Sequence, residues 1–315
     1  MKYKKKSFIS FVIPARDEEK TVVSLATQIA SQIKKLKLKY EIIFIDDGSK
    51  DKTYEIISKL SKKDKQVKII RLRGSFGKSV ALQTGFNSAK GDIVFTMDAD
   101  LQDDPSEIPK FIKKLDEGYD LVSGWKKIRY DPVSKTLPSK LGNTLVRVLT
   151  KLPIHDSNCG FKAYRREVLE DLNLYGELYK YIPIFAMRNN FKVTEVVISH
   201  HARKFGKSKF GVERNIKGIL DLITVIFLTG YVKRPGHFFG TVGFLSFSMG
   251  FVIGLYITYL RITTGGIDYH LPLLFLGVLL MVVGVQFLST GLISELITSF
   301  NQDKSKYKNY IKDQK

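Results

Sequence analysis

Residues 92–105 read DIVFTMDADLQDDP, an apolar run of strand length that leads directly into a cluster of acidic side chains. The same order of apolar run and acidic turn occurs in FISFVIPARDEE (8–19) and in EIIFIDDGS (41–49). Short apolar runs rich in β-branched residues are typical of strands that are buried on both faces of a sheet. Each acidic turn would then lie at the carboxyl end of its strand.

Runs of this kind alternate with helical patterns along the first part of the chain. Strands are predicted at 8–13, 41–46, 67–72, 92–97 and 120–125, and helices at 18–37, 53–63, 79–89 and 107–117. The alternation predicts an α/β fold with a mainly parallel sheet that is covered by helices on both faces. Ligands bind at the carboxyl ends of the strands in such sheets, so we expect the chemistry there.

The acidic turns point to a divalent cation. Asp98 and Asp100 lie two residues apart, and further acidic residues follow the first two strands. Carboxylates that are crowded in a cleft repel each other unless a cation or hydrogen-bond donors neutralise them. Mg²⁺ and Mn²⁺ prefer such oxygen ligands and commonly share them with substrate phosphates. A single acidic pair is more often a turn or a helix cap, but three clusters at three strand ends favour the metal.

Two long uncharged segments occupy the C-terminal part of the sequence. Residues 236–260 and 269–294 contain no Asp, Glu, Lys or Arg, and a short polar turn with Gly265 and Gly266 separates them. Each segment exceeds the roughly 20 residues that a helix needs to cross a bilayer core. We predict a transmembrane hairpin with helices at about 236–260 and 271–296. The alternative is a buried pair of helices in a soluble core.

Basic residues flank both predicted spans. Lys233 and Arg234 precede the first span, and a lysine cluster within residues 301–315 follows the second. Because positive flanks stay in the cytoplasm, we expect a multi-pass protein of the cell membrane with both termini and the domain of residues 1–210 on the cytoplasmic side. Residues 211–235 are predicted to form an interfacial helix on the bilayer, or alternatively a core helix of the preceding domain. Residues 301–315 would form a basic cytoplasmic tail.

The charge balance predicts an anionic partner. The chain carries 51 Lys and Arg against 31 Asp and Glu, a formal charge of +20. Such an excess fits nucleic acid, an anionic membrane surface or a phosphorylated substrate. No nucleic-acid-binding module is recognisable, so we expect no nucleic acid partner. The single cysteine, Cys159, excludes an intrachain disulfide and a cysteine-based zinc site.

Several segments together carry a resemblance to a known family. FVIPARDEE, IDDGSKDKT, FGKSVALQTGF and MDADLQDDP stand in the order and spacing of the inverting nucleotide-sugar glycosyltransferases with a GT-A fold. SGWKKIR, HDSNCGFKAYRREVL, the segment from Arg203 to Lys209 and the apolar hairpin make the chain similar to the polyprenyl-phosphate glycosyltransferases. That group includes dolichol-phosphate mannose synthase and bacterial enzymes that load sugars onto undecaprenyl phosphate. The fingerprints of other nucleotide-binding folds, G-x-G-x-x-G after the first strand and G-x-x-x-x-G-K-[ST], are absent.

The resemblance assigns roles to residues that match the family's motifs. The nucleotide-sugar would be bound by Pro14, Arg16, Glu18, Ile45, Asp47, Asp98, Ala99, Lys126, Arg203 and Lys209. Asp100 would ligate Mg²⁺ or Mn²⁺, with Gln102 close to the metal. The acceptor phosphate would be bound by Ser139, Lys140 and Lys207. The catalytic residues would be Asp98, Asp100, Asp156 and Arg203, with Asp156 acting either as a base or as an orienting group.

The implied reaction moves a hexose from a nucleotide-sugar, with UDP-glucose as the expected donor, to polyprenyl (undecaprenyl) phosphate with inversion at the anomeric carbon. The product would be a polyprenyl-monophosphate sugar donor for the modification of cell-surface glycans. Alternatives are a GDP-mannose-dependent mannosyltransferase, a polysaccharide synthase-type transferase, whose usual QxxRW motif is absent here, and a non-catalytic membrane-tethered binding module. A homo-oligomer through the spans is compatible with small residues that permit close helix approach: Gly243, Gly250, Gly254, Gly277 and Gly284.

Overall fold

The predicted alternation of strands and helices is present in the computed structural model, which describes residues 8–127, 153–170, 172–201, 235–266 and 270–300 and the single positions 147 and 150. The chain divides into two units, Met1–Val225 and Ile226–Lys315. The first unit contains β1 (Phe8–Ala15), α1 (Val22–Lys35), β2 (Lys39–Asp46), α2 (Thr53–Lys63), β3 (Val67–Arg71), α3 (Lys78–Ser88), β4 (Ile93–Thr96), α4 (Ile108–Asp116), β5 (Leu121–Trp125), β6 (Lys162–Arg165), α5 (Ile182–Arg188) and β7 (Val193–Val197). The second unit contains α6 (Pro235–Thr264) and α7 (Leu271–Phe300).

The strands of the first unit form one sheet in the order β3-β2-β1-β4-β6-β5-β7. Parallel pairs join β1 to β2 and β4, β2 to β3, and β5 to β7, whereas β6 runs antiparallel to β4 and β5. The mainly parallel sheet that the sequence predicts is therefore confirmed. The carboxyl ends of β1, β2, β4 and β5 consequently lie at the same edge of the sheet, where the acidic turns follow.

Three elements are missed by the sequence patterns. β6 and β7 have four and five residues and α5 has seven, which is too short for a period to stand out. The five predicted strands agree with the observed ones to within two residues. α1 begins at Val22 rather than at the predicted residue 18, because the backbone of residues 17–19 bonds to the turn after β2.

The main core lies between the sheet and a layer that contains α1 and α4. Phe11 and Phe95 stack with ring centroids 5.2 Å apart, and Phe111 of α4 stacks on Phe161 at 4.3 Å. α1 buries one face, which is made of Val22, Leu25, Ala26, Ile29 and Ile33. The spacing of three and four residues puts these side chains on one helix stripe. Burial of each large apolar side chain stabilises the fold by about 1.5–3 kcal/mol, so the strand ends project from a rigid frame.

A buried carboxylate, Glu41, ties together the amino ends of the central strands. Its Oε1 accepts hydrogen bonds from Ser10 Oγ at 2.6 Å and from the Lys90 N–H at 2.8 Å, and its Oε2 pairs with Lys68 Nζ at 2.6 Å. Burial alone would raise the pKa of Glu41, but these three partners outweigh it and hold the pKa below its usual value of 4.5. The charged form of Glu41 therefore stabilises the folded state.

The second unit is a pair of 30-residue helices, α6 and α7. Both helices are long and apolar enough to cross a membrane. Large apolar side chains point outward along them, with Phe244, Phe275 and Leu292 between 65% and 74% exposed. Exposure of so many apolar side chains argues against a helix pair buried in a soluble core and fits a hairpin surrounded by lipid.

Facing glycines let α6 and α7 approach closely. A Cβ on Gly243 would lie 2.7 Å from the Gly284 carbonyl oxygen, and a Cβ on Gly284 would lie 2.8 Å from the Gly243 carbonyl oxygen. Seven residues away in one direction, a Cβ on Gly250 would clash with the Gly277 carbonyl oxygen. Seven residues away in the other direction, a Cβ on Gly291 would lie 3.5 Å from Gly236 Cα, so the full set is Gly236 with Gly291, Gly243 with Gly284, and Gly250 with Gly277. We call these three pairs the glycine ladder. Four of the five glycines expected to allow oligomer contacts thus pack inside the hairpin, whereas Gly254 has no neighbouring heavy atom within 4 Å.

Two of the predicted segments lie outside the described residues. The expected interfacial helix at 211–235 is not described before Pro235, where α6 begins, and the basic tail at 301–315 is not described. Both segments, and the cytoplasmic orientation that depends on their charges, stay predictions.

We expect Glu41→Gln to lower the free energy of unfolding by about 1–3 kcal/mol at neutral pH, because the amide leaves Lys68 without its counter-charge. The folded-state pKa of Glu41 lies below the ordinary value of 4.5, so this stabilisation is complete above pH 4.5 and is lost as the pH falls through the folded-state value. Chemical denaturation of the detergent-solubilised protein should show the gap between wild type and variant narrowing in acid. The exposed Glu170→Gln is the control, and a gap that does not depend on pH would contradict the assignment.

The glycine ladder predicts a position-specific effect of a larger side chain. We expect Gly284→Leu to lower the midpoint of thermal unfolding in detergent, because the new side chain must displace the backbone of α6, at a cost of about 1–3 kcal/mol for overpacking. Gly254→Leu makes the same chemical change where nothing lies within 4 Å, so it should leave the midpoint unchanged. Equal midpoints of thermal unfolding for the two variants would refute close packing of α6 and α7 at the glycine ladder.

Candidate functional site

The turns that follow β1 and β2 bind each other. The Asp17 N–H donates to Ser49 Oγ at 3.0 Å, and in return the Lys50 N–H donates to Asp17 Oδ1 at 2.7 Å. The Glu18 N–H donates to Thr53 Oγ1 at 2.8 Å at the start of α2. These reciprocal bonds fix the turn that carries Arg16 and Glu18, two of the residues predicted to bind a nucleotide-sugar.

Asp47 holds the loop that precedes α3. Its Oδ1 accepts from the Phe76 N–H at 2.7 Å, and its Oδ2 accepts from the Gly77 N–H at 3.1 Å. Gly48, with a φ of +68°, lies so close to this loop that a Cβ would be 2.8 Å from the Gly74 carbonyl carbon. Asp47, predicted to bind the nucleotide-sugar, therefore shapes loop 74–77, on which Phe76 is 61% exposed.

Two further predicted residues lie beneath these turns. Pro14 in β1 and Ile45 in β2 are paired in register across the two strands. Ile45 is fully buried, so its side chain belongs to the packing under the turn rather than to the open surface. The structure thus brings together the predicted residues of the first two strand ends above the buried side chains of the sheet.

The three acidic clusters do not gather around one point, contrary to the expectation from sequence. Among the residues that the structure describes, no three His, Cys, Asp or Glu side chains are grouped so that they could hold a metal ion. The carboxylates after β1 and β2 are neutralised one by one, as Asp17 and Asp47 accept backbone N–H groups and Asp46 lies 3.3 Å from Arg71 Nε. Within the described residues the three clusters therefore do not form one group of ligands, and the pair Asp98 and Asp100 stands apart.

Asp98, at the end of β4, forms an ion pair with Lys78, the first residue of α3. Lys78 Nζ also lies 5.0 Å from the ring centroid of Tyr179, a cation–π distance. Burial alone would lower the pKa of Lys78, but Asp98 and Tyr179 outweigh it and raise the pKa. Burial would raise the pKa of Asp98, but Lys78 and Lys126 outweigh it and lower the pKa. Each partner therefore keeps the other charged at neutral pH.

A second buried pair joins Lys126 to Asp103. Lys126 Nζ lies 2.7 Å from Asp103 Oδ1, and the side chain of Asp103 is completely buried. Burial alone would lower the pKa of Lys126, yet the charge of Asp103 raises it. Lys126, predicted to contact the nucleotide-sugar, is thus anchored beside the acidic turn after β4.

The turn that carries Asp100 has an unusual backbone. Leu101 has a φ of +59°, a conformation that leucine rarely adopts, and this lets the Gln102 N–H donate to Asp100 Oδ1 at 3.1 Å. The His201 N–H donates to the Gln102 carbonyl at 2.9 Å, and Gln102 Nε2 lies 3.4 Å from the His201 carbonyl oxygen. The turn is therefore held against the chain that follows β7. Ala99, between the two aspartates, is buried.

The chemistry of this turn suits a divalent ion that takes its remaining ligands from phosphate oxygens. Asp98 and Asp100 supply two negative charges, and the ion pair with Lys78 offsets one of them. Mg²⁺ is usually held by one or two carboxylates together with substrate phosphates and water, and Mn²⁺ prefers the same class of ligand. The role of Asp100 as a metal ligand stays a prediction. The side-chain amide of Gln102 instead contacts the backbone of His201.

Residues 155–160 bring two further groups to this edge. Asp156 is buried, with 1% of its surface exposed. Gly160 packs on the Asp98 carboxylate, because a Cβ at this position would lie 2.5 Å from Asp98 Oδ2. Cys159 lies between them, and burial raises the pKa of its thiol to about 12, so it serves in packing rather than as a nucleophile.

Five predicted site residues lie outside the described part of the chain. These are Ser139, Lys140, Arg203, Lys207 and Lys209. Their assignment to the acceptor phosphate and to the nucleotide-sugar stays a prediction.

Sequence patterns miss three residues of the site: Lys78, Tyr179 and Lys162. Lys162 is 3% exposed in β6 and donates to the Cys159 carbonyl, and burial lowers its pKa. One signal was available, because Lys162 interrupts the apolar run CGFKAY and a buried lysine needs a partner. Lys78 follows Gly77 at a helix start, where the sequence indicates only a glycine-permitted turn into a helix whose N-terminus could face an anion. Nothing in the sequence points to Tyr179.

Comparison with known proteins gives consistent relatives. Glycosyl transferase family 2 matches residues 10–172. Dodecaprenyl-phosphate galacturonate synthase of Rhizobium johnstonii is 34% identical over 310 residues, which cover 96% of this chain and 91% of the relative. Undecaprenyl-phosphate 4-deoxy-4-formamido-L-arabinose transferase of Shewanella sediminis is 33% identical over 311 residues, which cover 97% of this chain and 92% of the relative. Both similarities therefore extend through the C-terminal helices.

Solved structures confirm the fold. Glucosyl-3-phosphoglycerate synthase from Mycobacterium tuberculosis, in complex with Mn²⁺ and UDP-glucose, superimposes with a TM-score of 0.55 at 20% identity. The match covers 71% of this chain and 79% of that chain. The first unit thus has the GT-A-like α/β fold that the sequence predicts.

The contact between Gly160 and Asp98 predicts a strong effect of one methyl group. We expect Gly160→Ala to displace the Asp98 carboxylate from Lys78 and to lower turnover about 100-fold, since a misplacement of about 1 Å at a reacting centre has that effect. Steady-state kinetics of the purified protein would measure it. Gly240→Ala, in α6, adds the same methyl group where nothing lies within 4 Å and serves as the control. Full activity of Gly160→Ala would show that the site does not depend on this contact.

Proposed function

The chain belongs to glycosyl transferase family 2, and on that premise we propose that it transfers a sugar from a nucleotide-sugar to a polyprenyl phosphate at a membrane. The observation that carries the proposal is the similarity to two polyprenyl-phosphate sugar transferases along almost the entire chain, including the apolar hairpin. A lipid acceptor explains why a catalytic fold is joined to helices that are long and apolar enough to cross a membrane. The formal charge of +20 suits an anionic leaflet and phosphate-bearing substrates.

The donor side of the reaction would be handled at the ends of β1, β2 and β4. Asp100, with Asp98 beside it, would hold Mg²⁺ or Mn²⁺, which when bound neutralises charge on the diphosphate leaving group. Lys78 keeps Asp98 ionised and oriented through their ion pair. Asp47 positions loop 74–77, whose exposed Phe76 offers an aromatic face at the edge where a nucleobase would lie.

The acceptor side would centre on Asp156. A phosphate monoester has a second pKa of about 6, so the nucleophilic oxygen is already an anion and needs little help from a base. Asp156, which is buried near Lys162, is better suited to orienting groups around the acceptor than to removing a proton. Attack of the phosphate oxygen from the face opposite the leaving diphosphate would invert the anomeric carbon.

For the sugar we propose a neutral hexose, with UDP-glucose as the first donor to test. The described lysines of the site already have protein partners: Lys78 pairs with Asp98, Lys126 pairs with Asp103, and Lys162 donates to the Cys159 carbonyl. None of these three is therefore available for the carboxylate of a uronic acid. The sugars named for the two relatives, galacturonate and 4-deoxy-4-formamido-L-arabinose, are the direct competitors. A GDP-mannose donor is the remaining alternative.

The proposed product is a polyprenyl-monophosphate sugar made on the cytoplasmic face of the cell membrane. The basic residues on either side of the two helices support an arrangement with both termini in the cytoplasm. The glycine ladder joins the two helices within one chain, so a homo-oligomer would have to use other faces, such as the open one at Gly254.

The proposal is tested by supplying the purified full-length protein with undecaprenyl phosphate, Mg²⁺ or Mn²⁺, and a panel of radiolabelled nucleotide-sugars. We expect a labelled glycolipid with UDP-glucose, and the anomeric coupling in its NMR spectrum should show inversion. Asp100→Asn should lower turnover by at least about 100-fold, since it removes a ligand that stabilises the leaving group.

The matched control for Asp100→Asn is Asp64→Asn, which carries the same change at the C-cap of α2. Absence of glycolipid with every donor in the panel would refute the transfer function. Product with UDP-galacturonate but not with UDP-glucose would refute the preference for a neutral hexose. Full activity of Asp100→Asn would refute its role as a metal ligand.

A further inference from the structure

A row of polar side chains crosses the sheet beside the proposed site. Thr96 of β4 is in register with Lys162 of β6, Lys162 is in register with Ser123 of β5, and Ser123 is in register with Glu195 of β7. Residues paired in register on adjacent strands point to the same face of a sheet. These four residues, one from each neighbouring strand, therefore form a continuous line, which we call the polar row.

Every member of the polar row contacts one short segment, residues 155–160. Thr96 Oγ1 donates to the Gly160 carbonyl at 2.8 Å, and Lys162 Nζ donates to the Cys159 carbonyl. Ser123 Oγ donates to the Asp156 carbonyl at 3.3 Å. Glu195 completes the line, since its Oε2 accepts from the His155 N–H at 2.6 Å and its Oε1 lies 2.5 Å from His155 Nδ1.

The order of these contacts shows how the segment lies. The row runs β4, β6, β5, β7 in space, and its partners run Gly160, Cys159, Asp156, His155 along the chain. The segment therefore lies across the strands, with one attachment to each strand. At one end Gly160 packs on Asp98, and at the other His155 stacks on Trp125 with ring centroids 4.2 Å apart.

The burial of the polar row indicates that these attachments matter. Thr96 and Lys162 are each 3% exposed, Ser123 is fully buried, and the Glu195 side chain is 13% exposed. Buried polar groups destabilise a fold unless they are hydrogen-bonded, and each group here finds its partner in the same six residues. Apolar side chains would pack this face of the sheet with less difficulty, so packing alone does not account for the row.

We propose that the polar row is a positioning device that sets Asp156 relative to Asp98, with Glu195 as the positioning residue for the acceptor side and Thr96 for the donor side. The proposal rests on the proposed function, because it assigns Asp156 to the acceptor. Glu195 makes both of its contacts to His155, the neighbour of Asp156, so it acts through the segment and not on the substrate. The proposal also predicts that a change at Glu195 affects use of the acceptor, whereas a change at Thr96 affects binding of the donor.

The test uses pairs of variants in the full-length protein. Glu195→Ala removes both contacts to His155, and Glu195→Gln retains an oxygen that can accept from the His155 N–H. Thr96→Val removes the hydroxyl at nearly constant shape, and Thr96→Ser restores it. The controls are the exposed Glu170→Ala and Thr194→Val, on the opposite face of β7, which has no side-chain hydrogen bond among the described residues.

We expect Glu195→Ala to lower kcat and raise the KM for polyprenyl phosphate, together about 10- to 100-fold in kcat/KM, the effect of a misplacement of about 1 Å. The Kd for the nucleotide-sugar should stay at the wild-type value, and Glu195→Gln should recover part of the loss. Thr96→Val should weaken nucleotide-sugar binding as well, because it releases Gly160 from beside Asp98, and Thr96→Ser should restore it.

Trp125 supplies a second readout that does not depend on activity. It is the single tryptophan of the chain, and His155 covers its ring. Glu195→Ala should free His155 and increase the quenching of Trp125 fluorescence by acrylamide, whereas Glu170→Ala should not. An unchanged quenching constant in Glu195→Ala would overturn the claim that Glu195 holds the segment.

Two further outcomes separate the alternatives. If Glu195→Ala weakens donor binding and acceptor use equally, and lowers the unfolding midpoint as well, the row is only part of the structural frame and the positioning role is refuted. If wild type forms no glycolipid with any donor, the proposed function fails. Trp125 quenching then still decides whether Glu195 holds the segment, because that measurement needs no substrate.

Discussion

Carboxylates delivered to one edge by parallel strands must each be neutralised, and the site depends on how this is done. The ion pair between Lys78 and Asp98 is the central instance, since it joins the start of α3 to the end of β4. Lys126 does the same for Asp103, and backbone N–H groups do it for Asp17 and Asp47. The carboxylates of the edge are consequently held by ion pairs and hydrogen bonds before any substrate arrives, which reduces the reorganisation that a charged leaving group would demand.

The protein partners of these carboxylates also explain why the acidic clusters are not one metal site. After β2 the carboxylates already have protein partners, since Asp46 accepts the Ser49 N–H and pairs with Arg71, and Asp47 accepts the N–H groups of Phe76 and Gly77. After β4, Asp98 pairs with Lys78, and Asp100 accepts the Gln102 N–H. The partners of each carboxylate, which composition does not encode, distinguish the three acidic turns.

Sequence patterns predicted the parts of the fold that rest on local periodicity. The five strands that carry acidic or glycine-rich turns, the helices between them and the two apolar helices were all found this way, and the family motifs marked Asp98, Asp100 and Asp156. The polar row was not predictable, because its register depends on the short strands β6 and β7 and on pairings between residues up to 72 positions apart, such as Ser123 with Glu195 and Asp120 with Lys192. Lys78 was missed because its partner, Asp98, lies 20 residues away.

The glycine ladder also acts as a ruler. Its glycine pairs recur every seven residues, about 10 Å along a helix, so the three pairs span about 20 Å of a hydrocarbon layer about 30 Å thick. A shift of one helix along the other by a single residue would move all three glycine pairs out of register together. The register of α6 against α7 is thereby set by backbone contact, whereas the depth of the pair in the bilayer depends on how its apolar length matches the thickness of the surrounding lipid.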